Sequence, residues 1–255
     1  MKWAEGMERD FIGVILCGGE GKRLRPLTYY FQKTMIPIGR RQKPLLEYIV
    51  KLLRYHGIRD IVMLVGYKSE QIINYFEDGS RFDLNITYEK DPAGLKGSGH
   101  AILNAYNKGL FKGYDNLLIY YGDILSDINL RELMDKHLRH EADSVLAVAS
   151  RYQLPVGVVE AEGDRVLKMV EKPWINIYAT IGILTLSINA LDRVSGLYGR
   201  YKELDIMTHI IPELVESDGK VLVYRHDGYW YDVGSTEKYE KIDNDKIEEI
   251  FNRIM

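Results

Sequence analysis

Two rhythms of apolar and polar positions alternate along this chain, and its first half repeats them in a fixed order. Phe11-Ile-Gly-Val-Ile-Leu16 is a short continuous apolar run ahead of a glycine-rich turn, the pattern of a buried strand. From Lys43 to His56 the residues Leu45, Leu46, Ile49, Leu52 and Leu53 recur at helical spacing, and Gly57 closes the segment. Ile61 to Val65 reads as a second buried strand. Ser69 reads as the cap of a helix with Ile72, Ile73 and Phe76 inward, and Leu84 to Tyr88 as a third strand. Strand, helix, strand, helix, strand predicts a parallel sheet covered on both faces.

The pattern continues with a glycine-bearing loop from Lys90 to Gly99 and a helix from His100 to Gly109. Asn116 to Tyr121 is a further buried strand that stops at Gly122-Asp123; a helix from Leu130 to His140 and a strand from Ser144 to Val148 complete the open sheet. In such sheets ligands lie beyond the carboxyl ends of the strands, so the Gly18 loop, the Gly97 loop and Asp123 are expected along one edge. Past Gly157 the texture turns antiparallel. Gly157 to Glu160 and Arg165 to Val170 flank Glu162-Gly163-Asp164, a hairpin signal. A strand from Ile181 to Leu186, a helix from Ile206 to Val215 and an edge strand from Val221 to Tyr224 follow. Thr236 then opens a charged C-terminal helix whose apolar positions are Ile242, Ile247, Ile250 and Ile254.

Composition narrows the function classes. With 255 residues, 46% hydrophobic and 28% charged, the chain suits one large domain with its own core. A formal net charge of −3 excludes a generally basic nucleic-acid surface while leaving room for a local basic pocket. Cys17 is the single cysteine, which excludes an internal disulfide framework and a cysteine-rich zinc site and fits a reducing compartment. No apolar run approaches the ~18 residues of a spanning helix. Residues 1–10 lack the apolar centre of a signal peptide, so a cytoplasmic protein with no membrane or nucleic-acid partner is expected.

The segment after the first strand carries the densest candidate chemistry. Cys17-Gly18-Gly19-Glu20-Gly21-Lys22-Arg23-Leu24-Arg25-Pro26-Leu27-Thr28 is a glycine-rich turn whose backbone N–H groups are free to face an anion. A P-loop is excluded, because counting back from Gly21-Lys22 puts Leu16 at the first glycine and Arg23 at the hydroxyl position. A dinucleotide fingerprint from Gly19 fails at Leu24. What remains is a turn followed by Arg23, Arg25 and Lys33, which suits a polyphosphate and equally a tight turn with solvated cations. Asp123 and Asp232 read either as turn formers or as carboxylates at the ligand edge. His100 has no partner carboxylate or second histidine at useful spacing and reads as a helix-start residue.

The order Gly-Gly-x-Gly-x-Arg-Leu-x-Pro-Leu-Thr, then Lys33 and Met35-x-Pro37-Ile38, resembles the signature of the sugar-1-phosphate nucleotidyltransferases, or nucleotide-sugar pyrophosphorylases. Lys43-Pro44-Leu-Leu-Glu-Tyr48, Gly97-Ser-Gly-His-Ala-Ile102, Tyr121-Gly122-Asp123, Glu171-Lys172-Pro173 and Gly228-Tyr-Trp-Tyr-Asp232-Val-Gly234 resemble that family's further blocks, in order. The resemblance spans about residues 12–239. It implies an α/β fold with a Rossmann-like, mixed but mostly parallel sheet flanked by helices, an antiparallel sugar-binding part and a C-terminal helix; the sequence shows no hexapeptide repeats, so no β-helix domain is expected. It also implies one domain over residues 1–255, with a nucleotide-binding part at 11–150, a sugar-phosphate-binding part at 151–235 and the helix at 236–255.

The implied reaction joins a nucleoside triphosphate and a sugar-1-phosphate into an NDP-sugar with release of pyrophosphate. Two polyanions must meet, so cations and a metal are expected to dominate. By resemblance Arg23, Lys33 and Lys172 are the catalytic cations. Leu16, Gly18, Gly19, Gly21, Lys22, Arg23, Gly97, Ser98 and Gly122 bind the nucleotide. Gly157, Glu171, Lys172 and Gly182 bind the sugar phosphate, and Asp123 with Asp232 holds Mg2+. A homo-oligomer, dimer or tetramer, is expected.

Thr34, the aromatic Tyr29-Tyr-Phe31, Thr180-Ile181-Gly182, Pro155-Val156-Gly157 and a longer loop from Glu89 to Gly97 depart from the usual pattern. They leave base and sugar open among mannose-1-phosphate guanylyl and glucose-1-phosphate thymidylyl or uridylyl transfer. Two alternatives are a metal-dependent glycosyltransferase, which wants Asp-x-Asp where this chain has Asp123-Ile-Leu-Ser-Asp127, and a regulatory paralogue, which is expected to have lost Arg23, Lys33 or an aspartate.

Overall fold

A computed structural model describes residues 10–252 and 254. The N-terminal segment considered for a signal peptide lies outside the described residues, apart from Asp10. Among the described residues no helix is long and apolar enough to cross a membrane.

Seven strands form the main sheet: β1 (Phe11–Cys17), β2 (Asp60–Val65), β3 (Asn85–Lys90), β4 (Asn116–Tyr121), β6 (Ser144–Ala149), β9 (Ala179–Ser187) and β10 (Val221–Arg225). A short β5 (Ile124–Ser126) follows β4, and β7 (Val158–Glu162) and β8 (Arg165–Val170) make the hairpin. The sheet order is β10-β6-β9-β4-β1-β2-β3, and only β9 runs antiparallel to its neighbours. This is the expected mixed, mostly parallel sheet. The strand from Ile181 to Leu186, expected with the antiparallel sugar-binding part, instead lies inside the main sheet between β4 and β6. Its apolar run Ile181 to Leu186 is buried on both faces, which only an interior position allows.

The period-two rule sorts β1 between two cores. Phe11, Ile15 and Cys17 face α1 (Leu45–Tyr55), α2 (Ser69–Phe76) and α4 (Leu130–Arg139). Ile12 and Val14 face α3 (Ser98–Asn107), α5 (Ile188–Arg193) and α6 (Ile211–Glu216).

Three boundaries differ from the sequence reading, each for a tertiary reason. Helix α2 is preceded by Lys68 in a left-handed conformation, so Ser69 is its first residue and not its cap. Helix α3 starts two residues early, because the Gly99 and His100 N–H groups donate to the Leu204 carbonyl at 2.9 and 3.3 Å. The C-terminal helix is two helices, α7 (Thr236–Glu240) and α8 (Asn244–Phe251). The Asp243 carboxylate caps α8 by accepting from the Asp245 and Lys246 N–H groups, and Phe251 packs edge-on against Tyr48 with 5.2 Å between ring centroids.

Candidate functional site

Because β1 to β3 build the sheet one way and β4 lies on the other side of β1, the chain diverges between β1 and β4, where an open α/β sheet leaves a crevice. A cavity of about 690 Å³ opens there. The predicted Leu16, Gly18, Gly19, Gly21, Lys22, Arg23, Lys33, Gly97, Ser98 and Asp123 all line it. A smaller cavity of about 340 Å³ between α1 and α2 holds none of the predicted site residues, and its buried Glu47 is already paired with Lys51 at 2.8 Å.

The turn at the end of β1 is held from below. Gly21 has φ of +63°, and a Cβ there would stand 2.8 Å from the Thr28 side chain, so the turn requires glycine. Thr28 Oγ1 donates to the Gly21 carbonyl at 2.9 Å. Arg23 projects, exposed, at the cavity wall, and Lys22 pairs with Glu20 at 3.3 Å. Arg25, a third cation of the sequence reading, does not join them; its guanidinium stacks over the Tyr29 ring at 5.1 Å.

Lys33 follows a residue to which the sequence reading gave no role. Gln32 is fully buried: its Nε2 donates to the Cys17 carbonyl, and its Oε1 accepts from both the N–H and the hydroxyl of Thr34. Thr34, standing where proline is usual, is thus one half of a lock that fixes Lys33. The Lys33 ammonium donates to Asp123 Oδ2, both side chains being largely buried. Cys17 beneath them is a thiol whose pKa burial pushes up strongly, with the Asp123 carboxylate adding to the effect, so it is inert as a nucleophile.

Asp232 reaches Asp123 through main-chain pairing. The strand Trp230–Asp232, β11, runs antiparallel to β5 with Asp232 opposite Ile124, and the Val233 N–H donates to the Asp123 carbonyl at 2.9 Å. Asp232 Oδ2 accepts from Lys238 at 2.6 Å, whereas its Oδ1 is buried with no hydrogen-bond partner. No group of three or more His, Cys, Asp or Glu side chains suited to a metal exists among the described residues. Magnesium needs only one or two carboxylates, because waters and anionic oxygens complete its shell, so Asp123 and Asp232 fit such an ion.

The far wall is stapled by a segment with no sequence motif. Ser98 Oγ donates to Asp205 at 2.6 Å and accepts from the Ile206 N–H at 3.0 Å, and the Leu204 N–H donates to the Lys96 carbonyl at 2.9 Å. His100 is buried under this wall, its Nδ1 within 2.7 Å of the Lys96 carbonyl. Gly122 lies beneath the cavity, its N–H donating to the Leu16 carbonyl at 3.1 Å.

The four predicted sugar-phosphate residues do not line the cavity. Gly182, with φ of +75°, sits against Tyr121 and Ile124, which flank Asp123 in the chain. Gly157, Glu171 and Lys172 belong to the exposed hairpin region, where Lys172 itself has a positive φ of 48°. Lys172 does approach Glu237 of α7, whose carboxyl pKa is lowered first by Lys241 and, further down, by Lys172.

Residues 12–249 match the family model described as nucleotidyl transferase. A UTP–glucose-1-phosphate uridylyltransferase of Synechocystis is 29% identical over 242 residues, 89% of this chain and 61% of that protein. A low-salt glycan biosynthesis nucleotidyltransferase of Haloferax volcanii is 32% identical over 235 residues, 88% of this chain and 63% of its own length. A rice protein named probable mannose-1-phosphate guanylyltransferase 1 is 28% identical, over 89% and 62% respectively. The chain therefore spans about three fifths of the length of these curated relatives. A Bacillus anthracis crystal structure, described as a glucose-1-phosphate thymidylyltransferase, superposes with a TM-score of 0.71 at 21% identity, covering 91% of this chain and 96% of that one. At that identity the likeness concerns the fold.

Proposed function

We propose that this chain, which belongs to the nucleotidyl transferase family, condenses a nucleoside triphosphate with a hexose-1-phosphate to give an NDP-sugar and pyrophosphate. The observation that carries this reading is the convergence of Arg23, Lys33 and Asp123 on one cavity at the β1/β4 divergence, beside the unpartnered Asp232 oxygen. These cations and carboxylates on one cavity suit bringing two anions into line.

In this reading the backbone of Gly18 to Gly21 cradles the triphosphate and Arg23 offsets the charge that grows on departing pyrophosphate. Lys33, its ammonium fixed by Asp123, faces the phosphates from the other side of the turn. Lys172 and Glu171 approach from the hairpin, the lysine toward the sugar phosphate and the carboxylate toward sugar hydroxyls, with Gly157 and Gly182 letting the backbone come close. Asp123 and Asp232 would hold Mg2+, which when bound polarises the α-phosphate. Residues 11–150 serve the nucleotide and 151–235 the sugar phosphate within one catalytic domain, acting in the cytoplasm as a homo-oligomer.

The deciding measurement is pyrophosphate release with Mg2+ across GTP, dTTP, UTP, CTP and ATP against glucose-1-phosphate and mannose-1-phosphate. Release that depends on both substrates is the expected result. Release from a triphosphate alone, or none with any pair, would count against the reading.

A further inference from the structure

Asp232, the second carboxylate proposed for the metal, shares its charge with a side chain to which the sequence reading assigned no role. Its Oδ2 accepts from the Lys238 ammonium at 2.6 Å, while its Oδ1 is buried and has no hydrogen-bond partner among the described residues. That second oxygen stands against Gly234, where a Cβ would come within 2.6 Å of it, and Gly234 lines the cavity. One oxygen of the carboxylate is therefore committed to a lysine, and the other lies at the cavity wall.

The main chain delivers Lys238 to this position. Its N–H donates to Oγ of Ser235, the cap of α7, at 3.3 Å, and its carbonyl accepts from the Tyr231 hydroxyl at 2.7 Å. Thr236, in the first turn of the same helix, donates through Oγ1 to the Arg23 and Arg25 carbonyls at 3.3 and 3.2 Å. The helix is thus pinned on one side to the turn that carries Arg23 and on the other to the strand that carries Asp232. The Lys238 side chain is 43% exposed, so its ammonium is free to leave the carboxylate without disturbing the helix.

Asp123 is held in the same way, its Oδ2 accepting from Lys33. Two carboxylates carry two ammonium groups, and the side chains that line the cavity include four basic and four acidic ones. A divalent cation arriving by itself meets no net negative charge there, whereas a polyphosphate brings that charge with it. Lys33 lines the cavity and is proposed to face phosphate as well; Lys238 does not line it, and among the described residues its ammonium donates to Asp232 alone.

We propose that Lys238 is a positioning residue, the counter-charge of Asp232, which orients that carboxylate and keeps the aspartate pair from taking up a divalent cation that arrives without a polyphosphate. This inference rests on the reading of Asp123 and Asp232 as the metal pair and names what makes its occupancy depend on the nucleotide.

The test is water-proton relaxation enhancement by Mn2+ bound to the full chain, measured with Mn2+ alone and then with GTP, dTTP, UTP, CTP or ATP added. The native chain is expected to bind Mn2+ alone weakly and at least one Mn2+–triphosphate complex strongly. Lys238→Met removes the ammonium, keeps most of the stem, and should bind Mn2+ alone about 10-fold more tightly. Lys238→Arg, which keeps the charge, should behave as the native chain, and adding Asp232→Asn to Lys238→Met should abolish the gain. Lys246→Met, which removes an exposed lysine of α8 paired with Glu249, should change nothing. Native-like binding of Mn2+ alone by Lys238→Met, or a gain that survives Asp232→Asn, would overturn the proposal; a response to triphosphate would still leave the metal pair standing. Tight binding of Mn2+ alone by the native chain would overturn it too. No enhancement in any chain, with or without triphosphate, would remove the metal pair and the proposal with it.

Discussion

The turn from Gly18 to Thr34 and the hairpin segment from Val158 to Lys172 carry cations proposed for the same reaction, yet the first is anchored by buried hydrogen bonds and the second stands in solvent. Gln32, Thr34, Thr28 and Asp123 fix the turn and its Lys33 through buried or half-buried hydrogen bonds. Every residue of β7 and β8 is exposed, including Val159, Leu167 and Met169. A two-stranded hairpin with no covered face is marginal on its own, so its residues are held by far less than those of the turn. In the proposed reaction the triphosphate charge must be met before chemistry begins, and the floor proposed to meet it is preorganised. The side proposed for the sugar phosphate is left open.

Five substitutions sharpen or break that contrast. Asp123→Ala removes a proposed metal donor and leaves Lys33 without its partner; the rate of pyrophosphate release should fall by about 10²- to 10³-fold. A variant with the native rate would end the assignment of Asp123. Arg23→Ala should cost about 10²-fold in kcat with an unchanged Tm, since the side chain is exposed and holds nothing else in place. Gln32→Ala orphans the Cys17 carbonyl and the Thr34 N–H, and should destabilise the chain by about 2 kcal/mol in chemical denaturation, with a loss of activity as Lys33 comes free. If stability holds, the turn is not anchored as described.

On the hairpin side, Lys172→Ala should raise KM for the sugar phosphate by about 10-fold, a change near 1.4 kcal/mol, and leave KM for the triphosphate alone. An effect confined to the triphosphate would reverse the division of labour between the two regions. Met169→Ser should change stability by less than about 0.5 kcal/mol, because the side chain is 65% exposed. A larger loss would mean that something covers this face in solution.

Much of the sheet side was legible because its signals are local. The run Phe11 to Leu16 has a single economical fate, and the leucine spacing from Lys43 to His56 fits only a helix. Lys33 and Asp123 could be nominated from motif blocks, although nothing in either block says that one grips the other. Gln32 escaped notice because a glutamine beside a lysine looks solvated until the carbonyl of Cys17 is placed against it.

The sequence by itself determined the elements, the order of strands and helices, and the family, because apolar periodicity and glycine placement act over a few residues and survive in any context. Tertiary structure alone decided that β9 enters the middle of the sheet, that segment 202–206 staples the Gly97 wall, and that one C-terminal helix becomes two. Each of those outcomes satisfies a buried polar group or covers an apolar face with a partner far along the chain. Such partners are chosen by the closure of the whole fold, and no local pattern names them.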